Sequence, residues 1–289
     1  MRMKITIITL ALCGFSLTCA HAGLFDEIQK FVDPNTKEGR ILSGATQVLS
    51  SAKDVDYPTE RTIGESLALE AMQRFGKPTA KEPQQKYANL VGMAVANNSA
   101  RPKIPYQFAV LDSPVHNAFA APGGIIFVSK ALVNLLADES ELAAVLAHEV
   151  GHVAGKHALR STQRAQFLSG VGTITAATMR SEKGKQFESM IGDIQNVLFD
   201  KGLDQNMEYE ADAAAMQTLY RTGYDPSAMI RVLEKLQQIE ATSTNKKGSW
   251  FSTHPPLGER IARLKEQLGK YPGYAKMARV PQRFAKLGK

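Results

Sequence analysis

His148, Glu149 and His152 are the residues whose types and spacing point most directly to chemistry. On a helix, residues four apart project about 40° from one another, so the two imidazoles share a face and can hold one ion. A glutamate beside the first can reach a water on that ion, and zinc brings the pKa of such a water toward roughly 7. The pattern predicts a hydrolytic site with one Zn2+ per chain, His148 and His152 as ligands and Glu149 as base. At least one more protein ligand is needed, with a position left open. The segment Met207-Glu208-Tyr209-Glu210-Ala211-Asp212 offers it. Glu208 and Asp212 share a face, whereas Glu210 points roughly 200° away from Glu208. Glu208 is therefore expected to be the third ligand, and Asp212 to take a hydrogen bond from a ligand imidazole and orient its ring. The competing reading is a solvated acidic helix face. His157, five positions beyond His152 and about 140° further round, is not expected to join the same ion.

These side chains require two helices packed face to face. Asp138-Glu139-Ser140-Glu141 reads as a capping box with Asp138 as N-cap, ahead of a proline-free stretch from Leu142 to His157. The acidic segment belongs to a second helix, expected from near Asp204 to a terminating glycine at Gly223. Pro226 opens a third helix with Met229, Val232, Leu233 and Leu236 on one face, and a last one runs from about Leu257 to Leu268. Upstream, Thr62 to Phe75 and Pro83 to Asn98 show helical spacing on either side of Gly76-Lys77-Pro78. Tyr106 to Leu111 and Ile125 to Ser129 read as strands, with Val115 to Ala121 as an edge segment ended by Pro122-Gly123-Gly124. The expected class is α+β, mainly α-helical, with a small antiparallel β-sheet. Residues 158–203 separate the two ligand helices and are expected to form a lid. Within them Phe167 to Met179 is apolar but too short to span a bilayer.

The N-terminus has the form of a signal peptide: basic Arg2 and Lys4, an apolar run from Ile5 to Leu12, and Ala20-His21-Ala22 before cleavage. Neither Cys13 nor Cys19 follows the small residue usual before a lipidated cysteine. Removing 22 of 289 residues leaves 267 without any cysteine, compatible with export and no disulfide framework. The expected organisation is a signal peptide at 1–22, an N-terminal segment at 23–56, an enzymatic domain at 57–268 and a basic tail at 269–289. The net charge of +7 is concentrated in that tail, because no acidic residue follows Glu266. Export argues against nucleic acid as a partner. The tail is read either as a solvated terminus or as a contact for an anionic membrane surface.

His148-Glu149-Val150-Gly151-His152 followed by Glu208-Tyr209-Glu210-Ala211-Asp212 resembles the M48 metallopeptidases, whose pattern is HExxH with a downstream ExxxD. Asn117-Ala118-Phe119-Ala120 with Pro122-Gly123-Gly124, and Thr253-His254-Pro255-Pro256 with Glu259-Arg260-Ile261, match in the same order. The likeness covers about Tyr57 to Leu268 and is closest to the bacterial periplasmic branch. It implies a zincin-like domain of gluzincin type, and a periplasmic zinc endopeptidase that clears unfolded or misfolded envelope proteins near the outer-membrane assembly machinery. It also implies that Asn117, Ala118, Phe119 and Ala120 bind substrate as an added strand, by backbone and not by sequence. His254 is implied as a reversible fourth ligand, and Arg260 as a group that polarises the substrate carbonyl or fixes the surroundings of the ligands. The alternative for His254 is a loop histidine fixed by Pro255 and Pro256. Trp250-Phe251 can line a specificity pocket or pack beneath that loop, and His116 is expected to meet substrate or solvent. The alternative function is an assembly factor or chaperone with a latent, self-inhibited zinc site, although a structural metal has no use for Glu149.

Overall fold

Apolar side chains alternate along three short strands, which gives the core its two faces. The computed structural model describes residues 55–79, 82–168, 191–242, 249–254 and 256–286. The expected signal peptide and nearly all of Phe167 to Met179 lie outside these residues. Strands β1 (Gln107–Leu111), β2 (Ala118–Ala121) and β3 (Ile125–Ser129) form a sheet in the order β1-β3-β2. Phe108, Val110, Ala118, Ala120, Ile126 and Val128 face one cluster, and Leu111, Phe119, Ala121, Ile125 and Phe127 face the other.

The sheet is mixed, where the sequence suggested antiparallel pairing throughout. β2 and β3 do form an antiparallel hairpin, turned at Gly123 and Gly124, whose φ values of 75° and 93° suit glycine. β1, however, pairs with the other edge of β3 in parallel, from Gln107 opposite Ile125 to Leu111 opposite Ser129. The hairpin uses one edge of β3, β1 joins the other, and there it runs in the same direction.

Helices close both faces. The first cluster receives α2 (Glu82–Ala96) and the second α1 (Tyr57–Phe75), whose Ile63 and Leu67 are fully buried. After the short α3 (Lys130–Leu135) comes α4 (Glu139–Ala154), buried on every side from Glu139 to Val153. Asp138 caps it, its Oδ1 accepting from Glu141 N at 3.0 Å, while Glu141 Oε2 accepts from Ala137 N at 2.7 Å. α4 ends three residues before the expected His157, because Gly155 and Lys156, the latter at φ 51°, break it and start α5 (His157–Leu168). Residues 191–196 are helical and lead into a π-helical turn, Val197–Lys201, with Ile194, Leu198 and Phe199 buried in the second cluster. α6 (Gln205–Thr222) stops at Gly223 in the left-handed conformation, as expected. α7 (Ala228–Thr242), the single turn α8 (Trp250–Thr253), α9 (Leu257–Gln267) and α10 (Pro281–Ala285) complete the order. No described helix is long and apolar enough to cross a membrane.

The basic tail is docked over much of its length. Ala278 exchanges backbone hydrogen bonds with Gly223 and Asp225, and Ser140 N donates to Arg279 O at 3.2 Å. Arg283 pairs with Glu139, a fully buried carboxylate at the first turn of α4 that also accepts from the hydroxyls of Tyr87 and Tyr224. Phe284 is 3% exposed and packs near Tyr87. Replacing Phe284 with Ala is expected to cost about 3 kcal/mol and to lower the Tm by several degrees, whereas Lys286→Ala changes nothing. An unaltered Tm for Phe284→Ala would mean that the tail contributes no packing.

Candidate metal centre

The site depends on how closely α4 and α6 approach. A Cβ on Gly151 would stand 3.2 Å from Ala211 O and 3.3 Å from Ala211 Cα, so a larger residue would force the helices apart. This contact brings Glu208 and Asp212, on either side of Ala211, to the imidazoles of α4. His148 Nε2 and His152 Nε2 are 2.9 Å apart. Glu208 offers Oε2 at 3.5 Å to the first and Oε1 at 3.6 Å to the second. His254 follows α8, its ring centroid 5.5 Å from each of the other two. One ligand atom from each of His148, His152, Glu208 and His254 lies within 4.8 Å of all the others, and the four residues are buried. Glu149 stands beside them, its Oε1 3.8 Å from His254 Nε2.

Two carboxylates, Glu208 and Asp212, in an apolar surround need compensation, and Arg260, itself fully buried on α9, supplies it. Its Nε and Nη2 donate to the two oxygens of Asp212 at 2.8 and 2.7 Å. Nη1 lies 2.9 Å from Glu208 Oε2 and donates to the carbonyl of His254 at 2.7 Å. The guanidinium is thus engaged by three partners around the ligands, an arrangement that favours fixing them over reaching a substrate carbonyl. Asp212 Oδ1 stands 3.0 Å from His148 Nδ1, close enough for an ion pair though out of line for a full hydrogen bond.

The titration behaviour follows from the same contacts. Burial pushes the pKa of His148 down, but Asp212 and then Glu208 outweigh it and hold the imidazole at about 9. Burial drives His152 well below its ordinary value and brings His254 and His157 to about 4. Burial also raises Glu149 to about 8. Asp212 moves the other way: burial opposes its ionisation, yet Arg260 and His148 hold it well below the usual carboxylate range.

The donor set fits a divalent cation. Both oxygens of Glu208 and Oε1 of Glu149 are buried without a hydrogen-bond partner. Such groups normally find one, or a cation. The carboxylates that favour a proton on His148 favour a metal ion there equally, since metal binding displaces that proton.

A narrow cleft opens beside the ligands, lined by Glu149, His152, His254 and Leu198 and, from the sheet and its turn, by Phe119, Ala120, Ala121 and Pro122. Of the four residues expected to bind substrate, Phe119 and Ala120 border this cleft. Asn117 and Ala118 sit deeper at the start of β2, where Asn117 N donates to Ser129 Oγ at 3.1 Å and Ala118 belongs to the core. Trp250 is fully buried and stacked on His254 at 4.2 Å with an interplanar angle of 15°, which favours packing beneath the loop over a specificity pocket. Its backbone N donates to His116 O at 2.9 Å. Of the expected lid, the described parts 158–168 and 191–203 reach the cleft through Ala158, Leu159, Val197, Leu198 and Leu203.

Sequence reasoning left out three contributors. Thr253 Oγ1 holds His254 Nδ1 at 2.9 Å. His157 Nδ1 lies 2.8 Å from His152 Nδ1, and its Nε2 lies 3.1 Å from Glu210 Oε2. The Gly155-Lys156 pair after the histidine helix was the available signal, because it ends the helical count on which the 140° separation rests.

A pair of helices presenting two histidines, a glutamate ligand and a buried base defines the class of two-helix metallohydrolase sites. The peptidase family M48 model matches residues 82–268, more than half of the chain, and the chain belongs to that family. A beta-barrel assembly-enhancing protease from Yersinia pestis is 28% identical over 269 residues, covering 86% of this chain and 54% of the relative. The protein of that name from Escherichia coli K12 is 31% identical over 198 residues, 65% of this chain and 40% of its own length. Metalloprotease LoiP of Escherichia coli K12 is 26% identical over 208 residues, covering 72% of this chain and 80% of that protein. The chain spans about half the length of the assembly-enhancing proteases it matches.

Arg260→Met is expected to leave two buried carboxylates uncompensated, at about 3–5 kcal/mol in metal-free protein. Asp212 has a pKa lowered from 3.8, so its contribution is present above that value and is lost as pH falls through the folded value. Without Arg260 the larger part of that lowering is lost and only that from His148 remains, and acid unfolding followed by circular dichroism should move to higher pH. An unchanged acid midpoint would count against the compensation.

Proposed function

We propose that this protein is a zinc-dependent endopeptidase of the cell envelope, exported by a signal peptide cleaved after Ala22, that cleaves unfolded or misfolded envelope proteins. The observation that carries the reading is the placement of Glu149: buried, unpartnered at Oε1, and on the wall of a cleft that it shares with His152, His254 and the edge strand. When bound, zinc supplies Lewis acidity, polarising a carbonyl and making water acidic near neutral pH. His148, His152 and Glu208 hold it, and Asp212 keeps the His148 ring oriented. Glu149 takes the proton of the attacking water at Oε1 and delivers it to the leaving amine, a double task that its place on the cleft wall beside the histidines allows. The outer edge of β2 offers backbone groups to an extended chain, which suits substrates recognised by being unfolded. The names of the relatives support outer-membrane assembly machinery as the setting. Lys270, Lys276 and Lys286, exposed on the tail, are available to an anionic membrane surface.

Glu149→Gln is expected to retain zinc and to lower casein cleavage by about 10²–10⁴-fold. Undiminished cleavage would falsify the assignment of the base. If neither protein cleaves but both suppress aggregation of an unfolded client, the chaperone reading takes its place.

His254 is assigned as a reversible fourth ligand. Its Nε2 faces Glu149 while Thr253 occupies Nδ1, so the ring is turned toward the other ligands. Removing it opens a coordination position that substrate and water need. His254→Ala is therefore expected to bind zinc more weakly and to cleave casein faster at saturating zinc. Equal or slower cleavage would leave His254 as a loop residue.

A further inference from the structure

We propose that His157, backed by Glu210 and Arg160, is the positioning group that orients His152 for metal binding. The inference rests on the metal site proposed above and adds the part of it that lies behind the second histidine.

His152 turns Nε2 toward the site, 2.9 Å from His148 Nε2 and 3.6 Å from Glu208 Oε1. Ligation through Nε2 leaves the ring proton on Nδ1, where His157 Nδ1 is its acceptor at 2.8 Å. That acceptor role places the proton of His157 on Nε2, which points to Glu210 Oε2 at 3.1 Å. Arg160 Nη1 holds the same oxygen at 2.7 Å. Every proton in the sequence His152, His157, Glu210 therefore has one acceptor, and the two ring tautomers fix each other. The chain runs from a ligand 4% exposed, through a histidine 1% exposed, to Glu210 and Arg160 at the surface. His148 has Asp212 in the corresponding position, so each ligand imidazole is braced from behind, one by a carboxylate and the other by a histidine.

The backbone is built for this reach. On a continuous helix His157 would stand about 140° from His152. α4 instead ends at Ala154, Lys156 takes φ 51°, and the His157 ring folds back across position 155. A Cβ on Gly155 would run into that ring, so the glycine leaves the space the imidazole occupies.

The test measures metal binding and not peptide cleavage. Zinc affinity is read by chelator competition and ligand geometry from visible absorption of the cobalt-substituted full-length protein, with His152→Ala as reference. His157→Ala is expected to weaken zinc 10–100-fold and to shift the cobalt bands. His157→Asn, whose amide oxygen falls near the place of Nδ1, recovers most of the affinity, and Glu210→Gln falls between. Should His157→Ala fail to fold, Glu210→Gln, altered at a half-exposed residue, decides alone. Zinc affinity and cobalt spectra within twofold of the parent for the folded variants would overturn the inference while His152→Ala still loses metal. If the parent binds no metal, or His152→Ala binds as well as the parent, the metal-site reading itself fails.

Discussion

Burial of two carboxylates, Glu208 and Asp212, beside one guanidinium is the constraint on which the rest of this structure turns. Each ion taken out of water costs several kcal/mol, and only close, well-aligned partners offset that cost. Glu208 and Asp212 come from α6, and Arg260 comes from α9, nearly fifty residues further along. Their pairing holds α9 against the ligand helices. It also fixes the loop before α9, because the same guanidinium holds the carbonyl of His254. One charge balance thus determines where Glu208, Asp212 and His254 sit relative to one another.

Short-range packing makes that balance reachable. Gly151 and Ala211 let α4 and α6 approach until carboxylates on one helix meet imidazoles on the other. α4 itself is buried on all sides, with the sheet and α2 on one flank and α6 and α7 on the other. Its amino end is held by the cluster of Asp138, Glu139 and Glu141 with Arg231, Arg283 and Lys235, contributed by α7 and the docked tail. α4 is therefore fixed at both ends: by ionic contacts where it begins, and by the Gly155-Lys156 break where it stops.

Local features of this arrangement were legible in the sequence. Asp138 and Glu141 marked the start of α4, Gly223 the end of α6, and the spacing of His148, Glu149, His152, Glu208 and Asp212 indicated which side chains would share faces. What escaped was non-local. Strand types could be read, but the parallel pairing of β1 with β3 depends on which edge the β2–β3 hairpin leaves free. The charge of the tail could be counted, but not that Arg283 meets a buried Glu139 on α4. Helical periodicity kept His157 out of the ligand group, where it indeed is not found, but that rule holds only while the helix continues, and two residues of broken helix were enough to fold its ring back onto the far side of His152.

The ties on His254 connect the site to the strand beside it. Trp250 stacks on the ring and donates its backbone N–H to His116, the residue leading into β2. Thr253 holds Nδ1, and its carbonyl accepts from Leu203 N at 3.3 Å in the segment that lines the cleft opposite β2. His254 thus cannot leave its place without straining a contact to the edge strand, to the 197–203 segment or to Arg260. His254 and the contacts that hold it are therefore one mechanical unit, built from a few hydrogen bonds each worth about 1 kcal/mol net.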